Sequence, residues 1–106
     1  AVLLARVISQ PTNNRICLDV GHKAVASEMT HPRLRVFGLE DAVPVMHSEE
    51  HLVLETDLAD RFPVGTVVYG IPRHVCPTVA LHNEVYPVIN AIAGKPRHVI
   101  ARDRRI

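Results

Sequence analysis

The chain of 106 residues has no tryptophan, only two cysteines, and five glycines that never cluster. Each shortage excludes something. Isolated glycines build neither a dinucleotide fingerprint nor a P-loop, so no phosphate cradle of either kind is written here. Cys17 and Cys76 form no C-x-x-C pair, and a closed structural zinc site needs four ligands, commonly from two such pairs. One bridge is the most that two cysteines can make. The opening AVLLARVIS is too short and wrongly flanked for a secretory signal, so free thiols in a reducing, cytoplasmic compartment are expected. No apolar run approaches the ~20 residues of a membrane span. Strong charge of either sign is missing too: the net charge is +1 and the arginines are dispersed. Arg102-Asp103-Arg104-Arg105 reads as a short solvated tail, and without a basic stripe neither nucleic acid nor membrane is expected as a partner.

What is present is a 47% hydrophobic composition dominated by Val, Ile, Leu and Ala, enough for the modest core of one domain. Short β-branched runs recur between turn signals. Arg15 to Val20 alternates, with Ile16, Leu18 and Val20 on one face, while Thr66 to Ile71 and Glu84 to Ile89 are apolar on both. Val2 to Ile8, Leu34 to Phe37, Leu52 to Leu54 and His98 to Ala101 complete the set. Pro11-Thr12-Asn13-Asn14, Pro63-Val64-Gly65 and Ala93-Gly94-Lys95-Pro96 mark turns, and Pro87 marks an edge or a bulge. The spacing predicts an all-β domain, an antiparallel sandwich or barrel-like fold. One or two short helices are expected, at His22 to Met29 and Asp57 to Arg61. A chain that opens in mid-pattern without a methionine suggests part of a longer protein.

The chemistry-bearing residues begin with His74 and Cys76. On a strand, residues two apart face the same side, about 6–7 Å apart. An imidazole nitrogen and a thiolate so placed can converge on one zinc-like ion. Two ligands leave the remaining positions to water or substrate. Two-residue motifs also arise by chance, and a strand histidine beside a buried free cysteine is the plainer account. His82 joins the same ion only if the chain turns at Pro77; otherwise it is a surface or supporting histidine. In His47-Ser48-Glu49-Glu50-His51, carboxylates lie beside imidazoles, which suits metal support or proton transfer but equally a solvated loop. Cys17 reads as packed rather than reactive. No nucleophile, base and orienter assemble.

Three stretches taken together carry a resemblance: Leu18-Asp19-Val20-Gly21-His22-Lys23-Ala24, then Ser48-Glu49-Glu50-His51, then Pro72 to Glu84, reading PRHVCPTVALHNE. In order and spacing the chain resembles the C-terminal domain of the D-serine dehydratase and D-threonine aldolase family. These are metal-activated pyridoxal phosphate enzymes of the alanine racemase fold type. The resemblance covers essentially the whole chain, so residues 1–106 are expected to be that β domain. It implies an N-terminal α/β barrel that binds pyridoxal phosphate, absent from this chain, and a metal pair at His74 and Cys76. Glu49, His51 and His82 become candidates for the shell around that pair. Zinc is the first choice of ion, with manganese and magnesium the alternatives. The implied substrate is a D-β-hydroxy amino acid, dehydrated or cleaved by retro-aldol chemistry, and the implied partners are the barrel and a second copy in a homodimer. Departures from the pattern are His22 for serine, Leu52 for glycine, and Arg73, Ala80 and Asn83 in the last motif; they leave the substrate open. Neither lysine, Lys23 or Lys95, sits in the family's cofactor-lysine context. No catalytic residue is therefore expected within the chain, which alone is expected to be inactive and prone to self-associate through its barrel-facing surface. A non-catalytic module for oligomer contacts and a metal-free racemase domain are the other readings.

Overall fold

A computed structural model describes residues 1–105. The strands β1 (Leu3–Thr12), β2 (Arg15–Leu18), β3 (Leu34–Val36), β4 (Val43–His47), β5 (Leu52–Glu55) and β6 (Val67–Pro72) form one sheet. Every pairing is antiparallel, in the order β3-β6-β1-β2-β5-β4. One short helix follows, α1 (Val75–Val79), and then β7 (Glu84–Val85), β8 (Val88–Ile89), β9 (Ile92–Ala93) and β10 (Arg97–His98). These last four make two small ladders, β10 with β7 and β8 with β9. The mainly β, antiparallel, barrel-like class expected from the sequence is the class found.

The sheet curls, and chain length shows why it must. β3 and β4 are its two edges, yet only residues 37–42 join them. Laid flat, six strands would hold those edges about 24 Å apart, at roughly 4.8 Å per step. The link cannot reach that far, because Leu39 N–H bonds the Val36 carbonyl and Ala42 N–H the Leu39 carbonyl, folding it into consecutive turns. Bending the sheet brings the edges together and makes its concave face the core. Ile16, Leu18 and Val20 share that face as their alternation predicts, and with Val7, Val25 and Leu52 they are essentially inaccessible to water. Burying side chains of this size stabilises by about 1.5–3 kcal/mol each before entropy is charged against it. The apolar run Thr66 to Ile71 is covered on one side only: Val68 and Gly70 are buried, whereas Val67, Tyr69 and Ile71 lie exposed on the convex face with Leu4 opposite Tyr69.

Several local expectations are corrected. The helix expected over His22 to Met29 is a chain of turns, because its backbone donors bond elsewhere: His22 N–H to Ser48, Lys23 N–H to Glu49, and Ala26 N–H to the Thr78 hydroxyl. That over Asp57 to Arg61 shrinks to a single 3-10 turn, Ala59–Arg61. The run Glu84 to Ile89 breaks at Tyr86-Pro87, where proline supplies no ladder donor, and its halves pair with different partners. His98 to Ala101 ends as strand at His98 and continues as the 3-10 turn Ile100–Arg102. β4 was hidden by Pro44; as an edge strand with a register shift between Pro44 and Met46, it tolerates the missing donor.

Candidate functional site

His74 and Cys76 do not lie on a strand. β6 ends at Pro72, His74 is the extended N-cap residue of α1, and Cys76 is the second helical residue. Pro77 explains the change: in a first helical turn its missing N–H is no loss and its fixed φ suits the helix. The shared-face geometry of a strand is therefore replaced by a strand-to-helix corner. Both side chains stand at the surface, the Cys76 thiol exposed and unbridged, the His74 side chain 46% accessible. Nδ1 of His74 meets the carboxylate of Glu28. A carboxylate only accepts, so the ring donates from Nδ1 and its other nitrogen is Nε2. This hydrogen bond is also the main reason that the Glu28 carboxyl is held below its usual range.

The three motif stretches, distant in sequence, pack into one region beneath this corner. Gly21 lies so close to the second stretch that a Cβ there would fall 2.3 Å from the backbone of Glu49 and Glu50. Only glycine permits that approach, and it lets His22 N–H reach Ser48 O at 2.8 Å and Lys23 N–H reach Glu49 O at 3.1 Å. The third stretch closes over the first through Thr78, 2% exposed, whose hydroxyl accepts Ala26 N–H at 3.0 Å and donates to His74 O at 2.7 Å. His82 donates Nε2–H to Ala24 O at 2.8 Å. Asp19 has a local task, its carboxylate accepting Arg6 N–H at 2.6 Å just beyond the Val7–Leu18 pair of the β1–β2 ladder.

Of the candidates for a supporting shell, His82 thus ties the corner to the first loop. Glu49 faces Lys23, Nζ to Oε2 at 3.9 Å, while Glu50 holds the same ammonium more closely and raises its pKa. His51 accepts Ser48 N–H on its carbonyl at 2.9 Å, closing the turn between β4 and β5. The carboxylate that does reach His74 is Glu28, which no periodicity or motif spacing singles out. Among the described residues, no three His, Cys, Asp or Glu side chains are grouped to hold a metal ion. A second cluster lies beside the loops: the His47 ring is 4.5 Å from that of His22, edge-on, and 5.7 Å from that of His31. Arg33 donates to His47 Nδ1 at 3.1 Å, which places the ring proton on Nε2, and this donates to Val20 O at 3.2 Å. Burial first, then the neighbouring His22, hold His47 neutral with a pKa of about 4.

These features can be set beside known proteins. The sequence profile described as "Putative serine dehydratase domain" matches residues 1–88. The chain belongs to that family. A D-threonine aldolase from an Arthrobacter species is 30% identical over 101 residues, which are 94% of this chain and 26% of that protein. The chain thus spans about a quarter of the curated relative's length. Among solved structures, a D-threonine aldolase from Filomicrobium marinum matches with a TM-score of 0.83 at 24% identity, over 96% of this chain and 28% of its own. A D-threo-3-hydroxyaspartate dehydratase from a Delftia species matches with a TM-score of 0.74 at 23% identity, over 92% of this chain and 31% of its own. D-threo-3-hydroxyaspartate dehydratase is also known as a histidine-to-alanine variant and, in a metal-free form, as a cysteine-to-alanine variant two positions further on. No helix among the described residues is long and apolar enough to cross a membrane.

Proposed function

We propose that this chain is the metal-bearing domain of a pyridoxal phosphate lyase that acts on D-β-hydroxy amino acids, by dehydration or by retro-aldol cleavage. The observation that carries the reading is the His74–Cys76 corner. It has the order and spacing of the substituted histidine and cysteine in the related dehydratase, whose cysteine variant has been described in a metal-free form. Imidazole nitrogen and thiolate sulfur suit zinc better than manganese or magnesium, which favour oxygen ligands. The donor set fits an open site: two surface side chains stand at one corner and, among the described residues, no His, Cys, Asp or Glu completes a three-ligand group there, which leaves positions for water and a substrate hydroxyl. When bound, such an ion supplies Lewis acidity at that hydroxyl. His74 and Cys76 bind it, and the loops beneath keep the corner in place.

The residues present do not fit pyridoxal phosphate. A Schiff-base lysine needs its amine free for the cofactor, whereas the exposed Lys23 ammonium is held by Glu50 with Glu49 beside it. Lys95 lines an open groove with Pro87, Ile89 and Ile92. We place the cofactor on a barrel domain outside these residues, packed on the exposed apolar surfaces of this chain, in its own or a neighbouring subunit. The competing module for oligomer contacts draws on those same surfaces, Leu4, Tyr69 and Ile71 on the sheet and Val88, Ile89 and Ile92 on the hairpin. Metal separates the two. In the enzyme that contains this chain, His74→Ala and Cys76→Ala are expected to lower bound zinc and activity on D-serine or D-threonine by about 100-fold or more, as loss of a primary ligand should exceed the 10–100-fold of its supports. Full activity in both variants, insensitive to chelator, sinks the metal role of His74 and Cys76.

A further inference from the structure

We propose that Glu28 is the positioning residue of this centre: it holds the Nδ1–H of His74 and so leaves Nε2 as the nitrogen that meets the metal beside the Cys76 thiolate. The inference rests on the metal reading above and adds the group that decides which nitrogen binds. A neutral imidazole has one proton and one lone pair, so a partner that accepts at Nδ1 directs the lone pair to Nε2. Carboxylates play this part for many metal-bound histidines, fixing the ring and raising its basicity.

The contact between Glu28 and His74 is built rather than incidental, because the residues flanking each are fastened to one another. Before His74, Arg73 donates its N–H to Arg33 O at 2.8 Å, and its guanidinium reaches Thr30 O at 3.0 Å and Thr30 Oγ1 at 2.9 Å. After His74, the buried Thr78 hydroxyl holds both Ala26 N–H and the His74 carbonyl. Ala26 and Thr30 bracket Glu28, as Arg73 and Thr78 bracket His74. The loop carrying the carboxylate is therefore anchored on both sides of the histidine, although 46 residues separate the pair in sequence. The other acidic groups of this region are engaged elsewhere, Glu49 and Glu50 with Lys23.

The test uses the full chain and two readouts. One is titration with cobalt(II), followed by its thiolate charge-transfer absorption, with zinc affinity obtained by competition. The other is the tautomer of His74 in the metal-free chain, read from nitrogen-15 NMR. Glu28→Ala is expected to weaken both metals by about 10–100-fold and to shift the His74 ring proton toward Nε2. Glu28→Gln keeps an acceptor oxygen, so it should retain the Nδ1–H tautomer and lose less than about 10-fold. Glu28 is half exposed, and circular dichroism checks that both variants fold. A Gln variant as weak as the Ala variant would make Glu28 a direct ligand and overturn the proposal. So would a Glu28→Ala chain with unchanged affinity or tautomer. A wild-type chain that binds neither metal refutes the metal reading, and the inference with it; one that binds both, alongside an equally tight Glu28→Ala chain, refutes the inference alone.

Discussion

His47 accepts from Arg33 on Nδ1 and donates Nε2–H to Val20 O, whereas His74 donates Nδ1–H to Glu28 at a surface corner. Both are imidazoles, and their surroundings push them to opposite uses. Partial burial first, then two neighbouring imidazoles and a guanidinium, penalise a charge on His47, and both its nitrogens are spent on the chain itself. The carboxylate at His74 orients the ring without consuming the second nitrogen. His47 is therefore a strut between β4 and the first motif loop, and His74 is a donor offered outward. A histidine is read by which of its lone pairs and protons remain uncommitted, not by its neighbours in sequence.

The strut can be removed from beneath. Gly21→Ala places a methyl group 2.3 Å from the Glu49 carbonyl carbon and the Glu50 nitrogen, and backbone on that side cannot rotate away. The loop must separate from the β4–β5 turn, costing His22 and Lys23 their backbone acceptors and moving Val20 O away from His47. A loss of about 3 kcal/mol, the upper end for overpacking, is expected in urea unfolding. Stability within about 1 kcal/mol of wild type would show that the two motifs do not dock as closely as described.

A gentler probe is pH. His47 titrates near 4 when folded and at about 6.5 when unfolded. Between those values the unfolded chain binds the extra proton, so stability is fully present above about pH 6.5 and is lost as pH falls toward 4, by at most ~1.4 kcal/mol per unit. His31, lowered chiefly by burial and then by Arg33 and His22, contributes in the same direction. Glu28 and Glu40, whose carboxyls are also held down, add their loss only below their ordinary 4.5, so the window from 4.5 to 6.5 belongs to the histidines. His47→Gln should flatten the dependence there, measured as urea midpoints against pH. An unchanged slope would take His47 out of the role.

The face that β2 turns to the core was legible because period-2 alternation reports burial directly, as Ile16, Leu18 and Val20 show. The His74–Cys76 pair stood out in the sequence as a possible ligand pair, but its geometry was not legible. Alternation says nothing of a strand that stops, and Pro77 serves a helix entry as readily as a turn. Glu28 was illegible for a different reason: its partner lies 46 residues away, and only the loop anchors at Arg73 and Thr78 bring the two together. In the acidic run beside His47, the Glu49 and Glu50 side chains turn to Lys23, a pairing that sequence spacing alone does not show.

The two cysteines repeat the contrast between the histidines at lower stakes for the fold. Cys17, 6% exposed in β2, has its thiol pushed up first by burial and further by Asp19, partly offset by a hydrogen bond from Ser9. Thiolate is the reactive form, so both access and ionisation protect it. Cys76 is exposed, with no packing to lose. Cys76→Ala is therefore expected to leave the unfolding midpoint within the ±0.5 kcal/mol of an ordinary surface change. It should also abolish the fast phase of maleimide labelling in the native chain, leaving a slow phase from Cys17 that tracks unfolding. Zinc should slow the fast phase in wild type, because the metal and the reagent compete for one thiolate. Equal labelling rates at the two positions would mean that β2 is not buried on both faces, and the line between committed and offered side chains would have to be redrawn.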